Sequence, residues 1–220
     1  MTEAVAKHIK KLHQLEKKGN LEVEDLLKIL KTPNKEYITP LQEMVVQYHW
    51  QPLNDELIVP FASWVDVICI YLEEGVQGLV KSIHTTKDFF SIVFGVLKEL
   101  PIEESLPAFL EIAQNFSSKI TDEQQDFVKE YTYELCDISH QLKSEKVNKN
   151  LHEAFVPILK QIISFGQSKK DEMLMCSVAV CFQAFGNKSD IPYLKALPFT
   201  EAYYKSTGKI IINRIEKKYS

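Results

Sequence analysis

Four prolines share one local setting: an apolar residue, then proline, then an apolar or small pair leading into a hydrophobic run. The pattern reads Val59-Pro60-Phe61-Ala62, Leu106-Pro107-Ala108-Phe109-Leu110, Val156-Pro157-Ile158-Leu159 and Ile191-Pro192-Tyr193-Leu194. The prolines at 60, 107, 157 and 192 are 47, 50 and 35 residues apart. That spacing accommodates one pair of helices per unit and points to an all-helical repeat array. With only 7 glycines in 220 residues, long stretches lack any turn signal, which disfavours a sandwich or barrel of many short strands.

Apolar periodicity supports helices. Phe127, Tyr131, Leu135, Ile138 and Leu142 recur at intervals of four, four, three and four, with Glu130, Glu134 and Asp137 off the stripe. Leu174, Val178, Cys181 and Phe185 repeat the arrangement. Each such helix has one face that it cannot bury alone, and stacking neighbouring pairs hides it. Roughly ten helices are expected from caps and periods. Thr39-Pro40 reads as N-cap and first helical residue, and Thr121 with Gln124 as a capping box. Gly19, Gly166 and Gly186 read as helix ends. The longest uncharged run, Met173 to Asn187, is too short for a bilayer span and reads as a buried helix. With no apolar leader at the start, a cytoplasmic chain is expected.

From Ala154 to Lys218 the chain resembles the HEAT family of helical repeats. Ala154-Phe155-Val156-Pro157 looks like a first helix entered through proline, and Ser177 to Gly186 like a second with small residues at close-packed positions. Asn187 to Leu197 restarts the unit. The likeness is looser over Leu57 to Leu142. It implies an all-α, right-handed HEAT-like solenoid of about five stacked antiparallel helix pairs, forming a single domain over 1–220. Residues 1–56 would be irregular helices and 57–220 the pairs. It also implies a non-catalytic role in binding a protein partner.

Charge sharpens that expectation. Between Lys35 and Lys81 there is no lysine or arginine, while Glu36, Glu43, Asp55, Glu56, Asp66, Glu73 and Glu74 supply seven negative charges. Both tryptophans, Trp50 and Trp64, lie in the same band. An acidic surface bearing aromatics steers and docks a basic protein, since charge sets encounter rate and aromatics supply hot-spot energy. The candidate binding residues are therefore Glu43, Trp50, Asp55, Glu56, Trp64, Asp66, Glu73 and Glu74. Such a module would serve as a scaffold, an adaptor or an immunity-type inhibitor. The alternative is that the tryptophans fill the core and the acids are simply solvated.

Other chemistries find less support. Arg214 is the one arginine against 25 lysines, and lysine lacks the planar fork that reads phosphates and guanines, so nucleic acid is disfavoured as a partner. The rival reading is a HEAT-like DNA glycosylase. It would need a catalytic aspartate in a basic groove, and Asp66 beside Trp64 has no positive neighbour. HEAT-like iron hydroxylases use several His-Glu dipeptides, and His152-Glu153 stands alone. Cys136 with His140 offers two metal ligands where a site needs more. Cys69, Cys176 and Cys181 read as small core residues. No phosphate loop or nucleophile motif is present, and no cofactor is expected.

Overall fold

The computed structural model describes residues 1–50, 61–85, 90–114, 116, 120–142 and 149–220, with backbone alone for 84 and 85. Every regular element among them is helical: twelve α-helices and four short 3-10 turns. The chain forms two compact units, Met1–Ala108 and Phe109–Ser220.

The first unit opens with α1 (Glu3–Lys17), which buries Val5, Ile9 and Leu12. Gly19 ends it at φ +67°. The Asn20 and Gly19 amides donate back to Leu15 and Glu16 carbonyls at 3.0 and 2.8 Å, a Schellman closure that satisfies two orphan carbonyls. A short α2 (Val23–Leu27) follows, capped reciprocally by Glu22 and Asp25. Helix α3 (Ile38–Gln47) does not start at the expected Thr39 cap. Asn34 accepts from the Glu36 amide and opens a 3-10 turn at Lys35–Tyr37 that runs straight into α3. Pro40 then falls among the first-turn amides that have no intrahelical partner, so its missing N–H costs nothing.

Helix α3 also closes in a Schellman geometry, with His49 in the left-handed position at φ 52° and the Trp50 amide donating to Val45 at 3.1 Å. A side chain there is strained where glycine is not. His49→Gly is accordingly expected to raise stability by about 0.5–1 kcal/mol in a urea melt.

Helix α4 (Phe61–Glu74) is the hub of this unit, packing against α2, α3, α5 (Val76–Thr85) and α6 (Phe90–Glu99). Its core face carries Val65, Ile68 and Leu72. Helices α4, α5 and α6 all pack against one another. Gly75, at φ +69°, makes the sharp turn from α4 into α5 that only glycine adopts freely.

Helix α7 (Ile102–Gln114) crosses from the first unit into the second. The second unit continues with α8 (Gln125–Leu142), α9 (Lys149–Lys169), α10 (Glu172–Phe185), α11 (Ile191–Lys195) and α12 (Ala202–Lys218). The Thr121–Gln124 capping box forms as expected. Tyr131, Leu135 and Ile138 of the α8 stripe are fully buried, with Val128 and Thr132 completing the face. The uncharged run becomes α10, the hub of this unit, packed against α8, α9 and α12.

Two expectations fail here. Pro157 lies inside α9 and Pro107 inside α7, so neither opens its helix; Pro60 lies outside the described residues, and of the three described pattern prolines Pro192 alone sits in a first turn. Gly166 does not end α9. A side chain there would reach within 2.9 Å of Met175, so glycine serves the close approach of α9 to α10. The helix ends at Lys170, at φ 55°, with the Asp171 amide donating to Gly166 at 2.9 Å.

Candidate functional site

The structure places the acidic-band residues in three settings. Asp55 and Glu56 lie outside the described residues. Glu43 is exposed on the outer face of α3, beside Val46, which is 73% exposed. Asp66, Glu73 and Glu74 are exposed on α4, whose other faces are consumed by its role as hub. Offsets of seven and eight residues put all three on a single stripe of that helix. Ile70, half-buried, sits between them; sequence reasoning passed over it because a lone isoleucine in an apolar helix carries no signal.

No ion pair is made by Glu43, Asp66, Glu73 or Glu74 among the described residues. Glu73 and Glu74 occupy the last turn of α4, which has no basic residue. Carboxylates there face the negative end of the helix dipole, at a cost of about 0.3–1 kcal/mol each. Partial burial with no cation in reach raises the carboxyl of Asp66 above its ordinary value, even though the residue is exposed by area. On the inner side of the same helix, burial pushes the Cys69 thiol up to about 12, with Asp66 and Glu73 adding to the rise. That thiol is protonated at neutral pH and a poor nucleophile. Glu36, also in the band, is spent on the chain start: it accepts from the Thr2 amide at 2.6 Å and pairs with the terminal ammonium at 3.3 Å.

The two indoles are both half-buried and engaged within the first unit. Trp50 donates from Nε1 to Glu16 Oε1 at 3.1 Å, stacks on Tyr48 at 5.7 Å and tilts against Phe61 at 5.2 Å. It is the last of three ties from α1 to the following segment, after His8 with Tyr37 at 3.1 Å and His13 with Tyr48 at 3.0 Å. Trp64 lies over Gly95 of α6, where an added Cβ would come within 2.8 Å of its ring. Glycine at 95 makes room for the indole against α6.

The remaining candidates stay simple. Cys136 Sγ and His140 Nε2 are 3.9 Å apart, and no group of three metal-binding side chains occurs among the described residues. Cys136 is held below the ordinary thiol value, chiefly by a hydrogen bond from Cys181, whose own thiol is raised by burial. Arg214 is used internally, donating to Gln183 Oε1 at 2.9 Å. No helix among the described residues is long and apolar enough to cross a membrane. No family model matches the chain, and no curated protein or solved structure matches it either.

Proposed function

We propose that this chain is a non-catalytic protein-binding module, a scaffold, adaptor or inhibitor, that docks a basic protein partner on the acidic stripe of its first unit. The observation that carries this reading is the placement of Glu73 and Glu74. Both carboxylates lie in the last turn of α4, against the negative end of its dipole, and make no ion pair or hydrogen bond among the described residues. Asp66 extends the same negative face by two turns, and Ile70 gives it an apolar centre. A half-buried apolar residue flanked by like charges suits a partner whose lysines or arginines flank a hydrophobic contact.

The repeat reading is part of the proposal. Within the second unit α8, α10 and α12 pack successively while α9 packs on α10, which is the alternation that stacked HEAT-like pairs would produce. A right-handed solenoid on this plan would present its surfaces for binding rather than enclose a reaction centre.

The test is a charge reversal with two readouts. In Asp66→Lys, Glu73→Lys, Glu74→Lys, the urea midpoint is expected to rise, because cations now sit at the helix C-terminus. Recovery of basic partners by affinity purification from the native host should fall about tenfold, as should their salt sensitivity. Undiminished recovery alongside a raised midpoint would sink the binding proposal while leaving the helix assignment intact.

A further inference from the structure

A groove of about 510 Å³ runs between α11 and α12 in the second unit. Its floor is Leu194, Leu197, Phe199 and Ile212, and Lys195, Lys205 and Lys209 stand along its rim. Helix α12 presents Lys205, Gly208, Lys209 and Ile212 to it, an i, i+3, i+4, i+7 set that defines one helical face. The lining of α12 extends to Glu216, so the groove follows the helix for about 16 Å, or three turns. The groove is pre-formed, because its long wall is fixed from the far side. Arg214 donates to Gln183 at 2.9 Å, Lys218 to the Gln183 carbonyl at 2.9 Å, and the Tyr219 hydroxyl to the Gly186 carbonyl at 3.3 Å.

Gly208 is the informative residue. It lies in the interior of α12, where glycine weakens a helix relative to alanine. Nothing in the fold demands it: its φ is ordinary, and an added Cβ would make only van der Waals contact with the Phe199 ring, at 3.5 and 3.7 Å. What glycine does achieve is depth, since the missing methyl would stand on the groove floor.

Charge selects the occupant. Lys195 is compensated by Glu216 at 3.5 Å. Lys205 and Lys209, one turn apart, make no ion pair among the described residues. We infer that the α11–α12 groove is a docking site for an acidic amphipathic helix of a partner protein, its apolar stripe seated over Gly208 and Ile212 and its carboxylates paired with Lys205 and Lys209. The length and the apolar floor match helix-in-groove recognition, in which anchors recur at i, i+3 or i+4, and i+7. Lys205 shares its charge at longer range with Glu172, whose carboxyl it helps to hold below the ordinary value, so Lys209 is the rim cation with the least internal compensation. A basic helix would meet both ammonium groups and be disfavoured. The site is independent of the acidic stripe on α4.

A displayed library of amphipathic helical peptides of about fifteen residues, with leucine at the anchor positions and randomised flanks, is selected against the full chain. Enriched peptides are expected to carry aspartate and glutamate on their flanks. Their affinity should fall about tenfold in Lys205→Glu with Lys209→Glu, and by a similar factor in Gly208→Ala, where one methyl fills the floor. Gly208→Ala should at the same time raise the urea midpoint, which separates loss of binding from loss of structure. Failure to enrich any peptide overturns the inference, as do basic or neutral flanks in the winners, or binding indifferent to both variants. So does self-association abolished by Gly208→Ala, which would give the groove to a second copy of the chain.

Discussion

Phe185→Ala is expected to destabilise the second unit by about 3–5 kcal/mol, the range for removing a buried aromatic ring. Phe185 has no exposed surface and stacks on Phe155, with ring centroids 4.3 Å apart and planes 16° from parallel. The upper part of the range applies because α10 is hemmed by α8, α9 and α12. A cavity on the hub helix cannot close by moving one neighbour without disturbing the others, so relaxation recovers little of the lost contact. Trp50 and Trp64 both lie in the first unit, and their fluorescence does not report on this site directly. The measurement is therefore a urea melt followed by far-ultraviolet circular dichroism. A loss below about 0.5 kcal/mol would mean that the face carrying Phe185 is not a packed core face.

The periodic part of this fold was legible in the sequence, because periodicity records which side of a helix must leave water. The α8 stripe, the uncharged α10 and the Thr121–Gln124 box all read correctly for that reason. Proline was misread because its local rule competes with packing. Inside a helix it forfeits one hydrogen bond and clashes with the preceding turn, at about 3 kcal/mol. In α9, Pro157 is bracketed by the buried residues Phe155, Val156 and Leu159, with Ile162 a turn further on. Burial of those four side chains is worth about 1.5–3 kcal/mol each, enough to carry the helix through the proline. Gly166 failed as a stop on similar grounds, since its purpose, room for Met175, belongs to another helix. At the candidate site, the sequence showed the band's charge but not its partition. Glu36 went to the chain start and the indoles to packing, and it is the hub role of α4 that leaves Asp66, Glu73 and Glu74 together on its free side.

Long-range partners leave no periodic trace, and Asp190 is the clearest instance. It is 2% exposed, yet His152 Nε2 lies 2.9 Å from one of its oxygens and Lys160 Nζ 3.0 Å from the other, from positions 38 and 30 residues earlier in the chain. The Asn187 amide adds a third hydrogen bond at 3.1 Å, closing a capping box at the 3-10 turn before α11. This carboxylate therefore ties α9 to the turn that launches α11. Asp190→Ala is expected to cost about 3 kcal/mol. That is the low end for breaking a buried charge cluster, because Lys160 is 40% exposed and can recover water. Asp190→Asn keeps the shape and an acceptor for Asn187 but loses the charge, and should cost about half as much. Burial acts to raise this carboxyl, but the Asn187 amide, His152 and Lys160 outweigh it and hold it below the ordinary aspartate value of 3.8. A depressed folded-state value means that the stabilisation is fully present above the ordinary value and is lost as pH falls through the folded one. The gap between wild type and Asp190→Ala should thus be constant near neutrality and narrow in acid below that ordinary value. Urea melts at pH 7 and in strong acid decide it: an undiminished gap would show that Asp190 acts through shape rather than charge.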